Sequence, residues 1–137
     1  MPIVATAQLV SHFCEDHVAL AAFYEQAFGF ERVDEVTSEI FVALDAGGVA
    51  LGFHADAAYE LLGVAGRRSA ASAHHVTFDL GTAAAVDAAV EVLVGLGATL
   101  VQGPFTTYYD ARQAVFTDPE DNVFRISDTQ AALVLPR

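Results

Sequence analysis

Two stretches decide the fold: residues 5–29, ATAQLVSHFCEDHVALAAFYEQAFG, and residues 74–97, HHVTFDLGTAAAVDAAVEVLVGLG. Each reads as a strand that runs into a helix and stops at a glycine. In the first, Asp16 is placed to cap the helix by accepting from the free N–H groups of its first turn. Leu20, Phe23, Tyr24, Ala27 and Phe28 then fall at i, i+3, i+4, i+7 and i+8, one continuous apolar stripe, before Gly29 ends it. In the second, 74–80 is β-rich, Thr82 caps, Val86, Ala89, Val90 and Leu93 make the stripe, and Gly97 closes it.

Working outward, each helix is followed by three extended segments. In the first copy they are 31–37, 39–44 and 49–54, the last two joined by the turn Asp45-Ala46-Gly47-Gly48. In the second they lie near 98–106, 112–117 and 123–127, with Asp118-Pro119-Glu120-Asp121-Asn122 as the last turn. Gly29 maps to Gly97 at an offset of 68, and Gln8 to His75 at 67. The expectation is an α+β chain in which a βαβββ module is used twice. Module 1 covers about 4–54, a linker 55–73 with a short helix at 57–62, and module 2 about 74–127; a tail, 128–137, is apolar enough to pack on a partner subunit.

At 137 residues the chain has the size of one domain, and 54% hydrophobic against 18% charged residues excludes an intrinsically disordered chain. The net charge of −12 repels a phosphate backbone, so nucleic acid and anionic membrane surfaces are not expected partners. Cys14 is the sole cysteine, which leaves no internal disulfide and no CxxC metal site; it reads as a small buried apolar residue. With no apolar run of membrane-spanning length and no basic-then-apolar start, a soluble, unprocessed cytoplasmic protein is expected.

Three motifs carry a resemblance: FYEQAFGF at 23–30, HVTFDL at 75–80 and FTDPEDNVF at 116–124. Together with the repeat, which spans 5–127, they resemble the vicinal oxygen chelate superfamily, which includes glyoxalase I, extradiol dioxygenases, fosfomycin-modifying enzymes and bleomycin-binding resistance proteins. The resemblance implies paired modules that form an open, curved sheet around a cavity, and a homodimer made by exchange of modules between subunits. Because this fold hosts unrelated chemistries, function must be argued from the site.

Alternation along the strands assigns faces, since i, i+2 and i+4 share one side of a sheet. Taking Ala7, Leu9 and Phe13 as the helix side of the first strand sets Gln8, Val10, His12 and Cys14 on the concave side. Val49, Leu51 and Phe53 are assigned to the same cavity. In the second module Val76, Phe78 and Leu80 face the helix, leaving His75, Thr77 and Asp79, with Val123, Arg125 and Ser127, toward the cavity.

Family enzymes hold a divalent metal at up to four equivalent positions on the first and fourth strands of the modules. The resemblance carries these to Gln8, Leu51, His75 and Arg125. Leu51 cannot ligate, and Arg125 stands where the family glutamate stands. At about 4 Å a divalent ion and a guanidinium repel by roughly 8 kcal/mol at an effective dielectric near 20. The residues therefore point to a metal-independent protein with no cofactor that binds a small organic ligand, as bleomycin-type resistance proteins do by sequestration. The candidate binding residues are Gln8, His12, Leu51, Phe53, His75, Tyr108 and Arg125, with no catalytic residue assigned. The alternative is a lyase, isomerase or dioxygenase holding one divalent metal ion through Gln8 and His75. Three structural readings stand beside these: His75 as a hydrogen-bonded structural histidine, Tyr108-Tyr109 as a surface turn, and Arg125 as the ion-pair partner of Asp79 or Asp110. If Arg125 faces the cavity, its fork suits a carboxylate, phosphate or enolate-like oxygen.

Overall fold

The first helix forms where the caps place it. In the computed structural model, which describes residues 3–67 and 74–135, the Asp16 carboxylate accepts from the Ala19 N–H at 3.0 Å and opens α1, His17–Phe28. Gly29 closes it in the left-handed region, at φ 67°, where a side chain is disfavoured, and its N–H donates to the Glu25 carbonyl. The chain divides into two compact units, 1–68 and 69–137.

In the first unit α1 follows β1, Leu9–Phe13, and precedes β2, Glu31–Arg32, β3, Phe41–Asp45, and β4, Ala50–His54. The sheet order is β1-β4-β3-β2, with β1 parallel to β4 and the other pairs antiparallel. One extended segment falls short of the expectation. Only two residues of 31–37 pair as a strand, and Asp34–Val36 turns as a 3-10 helix closed by Thr37 N–H to the Asp34 carbonyl. Val33 and Val36, three apart, cannot share a strand face, and Asp34 is poorly suited to a ladder. Leu20, Ala21, Phe23 and Tyr24 of α1 are buried with Val42, Leu44, Leu51 and Phe53, the Tyr24 and Phe53 rings standing 5.4 Å apart. A short α2, Ala58–Leu61, follows within the expected linker; residues 68–73 of that linker lie outside the described residues.

The second unit repeats the plan: β5, Val76–Asp79, α3, Ala83–Gly95, β6, Thr99–Thr106, β7, Arg112–Thr117, and β8, Val123–Ser127. Its sheet order is β5-β8-β7-β6, with β5 parallel to β8. Thr82 caps α3 by accepting from the Ala85 N–H at 3.1 Å. Phe78, Val86, Leu93, Ala114, Phe116, Phe124 and Ile126 form the core, with the Phe116 and Phe124 rings 5.3 Å apart. Full burial of such side chains stabilises by about 1.5–3 kcal/mol each.

The turn into β8 is built around one carboxylate. Asp118, which is buried, accepts from the Glu120 N–H at 2.9 Å and the Asn122 N–H at 3.0 Å, and from the Asn122 side-chain amide. Asp118 N–H donates back to the Asn122 carbonyl, and Asp121 takes the left-handed conformation that the tight return needs. The turn thereby sets the register of β7 against β8, and with it the position of Arg125. Of the tail, Ala131–Leu133 forms a 3-10 turn, and Leu133, Val134 and Leu135 are exposed. Among the described residues no helix is long and apolar enough to cross a membrane.

Candidate functional site

The two sheets place their expected site residues differently. In the first unit the face assignment is corrected: Leu51 and Phe53, 1% and 0% exposed, lie under α1 rather than lining an open face. His12 goes with them, its ring 5.3 Å from that of Phe53 and nearly parallel, and 6.1 Å from that of Tyr24. The cause is the hydrophobic effect acting on unequal alternatives. In β4 one parity offers Leu51 and Phe53 and the other Ala50, Gly52 and His54, so the bulky pair goes under the helix.

The face of this sheet turned away from α1 instead carries Ser11, Phe13, Phe41, Ala43, Gly52 and His54, none of which the sequence pattern singled out as a ligand contact. Phe41 and His54 rings stand 4.6 Å apart, and Phe13 stacks on Tyr59 of α2 at 4.0 Å. Gly52 is required there, because a Cβ would come within 2.7 Å of the Phe41 ring and 2.9 Å of the Ser11 hydroxyl. Burial lowers the pKa of His54, favouring its neutral form. Gln8 is exposed at the rim of an open depression of about 550 Å³, with Thr6, Val33, Asp45 and Val49 among its walls. That depression has little chemistry: its one carboxylate, Asp45, accepts from the Gly47 N–H of its own turn.

In the second unit the alternation holds. Thr77 and Arg125 are register partners on β5 and β8, Val115 and Gln113 extend the same face on β7, and Ser127 ends it. The Arg125 Nε donates to Thr77 Oγ1 at 3.1 Å and its Nη1 to Gln113 Oε1 at 3.3 Å. Gln113 Oε1 also accepts from the Tyr109 hydroxyl at 3.1 Å, while Gln113 Nε2 donates to Ser127 Oγ at 3.2 Å. Gln113 and Ser127 are 2% and 3% exposed, so this network is part of the sheet rather than a surface tangle.

The ion pairs weighed for Arg125 are not formed. Asp79 Oδ1 accepts from the Gly81 N–H at 2.8 Å and the Thr129 hydroxyl at 2.7 Å, and among the described residues no carboxylate pairs with Arg125. Of the tyrosine pair, Tyr108 is fully exposed and Tyr109 reaches the network. His75 is exposed, two residues ahead of Thr77. Gln113, which follows Arg112 at the start of β7, is the member that sequence reasoning missed, and of the tyrosine pair it took Tyr108 rather than Tyr109 as the ligand contact.

Strand register also corrects the equivalence of the two copies. Thr77 stands beside Arg125, and Ser11 stands beside Gly52. Arg125 therefore corresponds to Gly52, not Leu51, and His75, two before Thr77, corresponds to Leu9, not Gln8. The four positions at which the superfamily places a metal hold Leu9, Gly52, His75 and Arg125, of which only the histidine is a ligand at neutral pH. Among the described residues no three His, Cys, Asp or Glu side chains are grouped to hold a metal ion. The residues present do not fit that group.

Comparison with known proteins supplies the family. The family model of the glyoxalase-like domain matches residues 8–127. A glyoxalase/bleomycin resistance protein/dioxygenase family enzyme from Burkholderia phytofirmans is 42% identical, covering 92% of this chain and 100% of its own, with a TM-score of 0.89. A glyoxalase-related enzyme from Fulvimarina pelagi is 17% identical over 92% of this chain and 89% of its own, with a TM-score of 0.80. The fosfomycin resistance protein FosX from Mesorhizobium loti is 15% identical over 96% and 97%, with a TM-score of 0.68. The last two are likenesses of fold. No curated protein matches the chain. With its two βαβββ units and this match over nearly its whole length, the chain belongs to the glyoxalase-like domain family of the vicinal oxygen chelate superfamily.

Proposed function

We propose that the protein binds a small organic molecule without a metal ion, in the manner of the resistance proteins that sequester an antibiotic-like compound, on the helix-free face of its second sheet. The observation that carries this reading is Arg125: a half-buried guanidinium at the family's glutamate position, held by two neutral side chains and paired with no carboxylate among the described residues. A cation removed from water without a counter-charge is costly, and a polar ligand group offsets that cost. Exposed His75 and the Tyr109 ring are the neighbouring groups a ligand would meet; Gln8, His12, Leu51 and Phe53 are not part of the site.

We place the protein in the cytoplasm as a homodimer. A lone buried thiol at Cys14 suits a reducing compartment, and exposed Leu9 and Val10 on an edge strand give a second copy apolar surface to cover. A monodisperse monomer in light scattering at micromolar concentration contradicts the dimer. Elemental analysis of protein purified without chelators tests the metal-independent reading, and substoichiometric transition metal is expected. One ion per chain, lost in His75→Ala, would replace this reading with a metal-dependent lyase, isomerase or dioxygenase.

A further inference from the structure

Resting on the ligand site just proposed, we infer that its anchoring group takes an anionic oxygen acid, a carboxylate or phosphonate-type head on a small apolar body, and rejects cations and neutral amides. The hydrogen-bond inventory of the face leads there. Arg125 carries five N–H donors, of which one goes to Thr77 and one to Gln113, leaving three. Thr77 Oγ1 accepts from Arg125, so its hydroxyl hydrogen is left to donate outward, whereas Ser127 Oγ, which accepts from Gln113, is buried. On the acceptor side, Gln113 Oε1 has both lone pairs engaged, by Arg125 and by Tyr109; Asp79 Oδ1 is engaged by Gly81 and Thr129, and its Oδ2, two residues along β5 from Thr77, makes no ion pair with the guanidinium. At the guanidinium the remaining acceptors are the neutral hydroxyl oxygens of Thr77, Ser127 and Tyr109.

A face whose free donors are three guanidinium N–H groups and the Thr77 hydroxyl, with only neutral acceptors at the guanidinium, is matched by a group that only accepts. An ionised oxygen acid does so, and it can take the guanidinium in two parallel, charge-assisted bonds. A neutral amide offers the fork one uncharged oxygen in place of two charged ones, and an ammonium group would meet a like charge. Val115, beside Arg125 in the register and half-buried, and the Tyr109 ring give a short apolar body something to cover.

The net charge of −12 opposes this at long range, since it repels an acid approaching from solution. Screening confines that repulsion to about 8 Å at physiological ionic strength, whereas the fork acts at contact. Association is therefore expected to quicken as salt is raised from low to physiological strength.

The test follows the Arg125 Nε–Hε resonance of 15N-labelled protein at pH 7 during titration with benzoate, phenylphosphonate, benzamide and benzylammonium at constant ionic strength. The expected result is a saturable shift with at least one acid and none with the amide or the ammonium compound. In Arg125→Gln the acid's Kd rises about 10-fold or more, and in Arg125→Lys by less. Val115→Glu hands Arg125 an internal carboxylate and is expected to abolish acid binding in a protein whose circular dichroism is unchanged, which keeps the test independent of any folding defect in Arg125→Gln. The inference is overturned if neither acid shifts the resonance at tens of millimolar, if benzamide or benzylammonium binds as tightly as the acids, or if Val115→Glu binds them unchanged. Tight binding of benzamide or benzylammonium would leave the small-molecule reading standing without its acid anchor. Failure of that wider reading shows itself separately, as protein carrying a stoichiometric metal ion through His75.

Discussion

Replacing Asp118 by alanine tests how far one carboxylate holds the second unit and its site together. The side chain receives three N–H groups at 2.9–3.1 Å: the Glu120 and Asn122 backbone amides and the Asn122 side-chain amide. Hydrogen bonds to a charged group contribute about 1.5–3 kcal/mol each where no water can replace them. Glu120 and Asn122 are only half-buried, so water recovers much of this, and the three together are expected to cost about 2–4 kcal/mol. At about 3 °C per kcal/mol for a chain of this size, the Tm falls by roughly 6–12 °C. Asp118→Asn keeps one side-chain acceptor and is expected to lose about half as much. Differential scanning calorimetry measures both, and the Arg125 Nε–Hε resonance reports whether β8 has shifted. A fall of less than about 2 °C for Asp118→Ala would refute the reasoning, because it would mean that the turn's donors are equally well served by water.

Three further outcomes are expected. His54 has a folded-state pKa lowered by burial, so the native state holds its neutral form; its contribution is present above pH 6.5 and lost as the pH falls below that value, where the unfolded chain takes up a proton first. Urea midpoints at pH 7.5 and 5.5 should therefore differ more for the parent than for His54→Phe, and equal differences would contradict the burial. Phe53→Ala, which empties a fully buried site under α1, is expected to cost about 3–5 kcal/mol in urea unfolding; a loss under 1 kcal/mol would return Phe53 to the open face. Added Zn²⁺, Ni²⁺ or Mn²⁺ should leave the Tm unchanged, whereas native-state binding would raise it in proportion to ln(1 + [L]/Kd).

The repeat was legible because its punctuation is local. Asp16 and Thr82 cap, Gly29 turns left-handed, and the apolar stripes of both helices have the right period, so the two βαβββ units could be read from residue types alone. The face of the first sheet was not legible, for a reason of arithmetic. The helix-ending glycines Gly29 and Gly97 stand 68 apart, but the caps Asp16 and Thr82 only 66, because α3 is one residue longer than α1 and Leu96 stands between α3 and Gly97 whereas Gly29 follows α1 directly. An intermediate offset of 67 misaligns the strands by one residue, and a one-residue slip moves every side chain to the opposite face.

The second sheet escaped this error because Phe78, Phe124 and Ile126 leave no doubt about which parity is buried. Arg125 and Thr77 could therefore be placed from the sequence, while Gln113 could not. Nothing in a pattern of apolar and polar letters says that a glutamine will be buried with its amide spent on an arginine, a tyrosine and a serine. That pairing belongs to the packing of three strands and a loop, and only coordinates disclose it.

Native mass spectrometry of protein isolated from its own cells, for the parent and for Arg125→Gln, tests the central claim most directly. The parent is expected to carry a small organic acid as a non-covalent adduct without a metal ion, and the Arg125→Gln protein, folded by circular dichroism, to have lost it. An adduct of equal abundance on both proteins, or a mass increment of one transition metal ion per chain that His75→Ala removes, would contradict it.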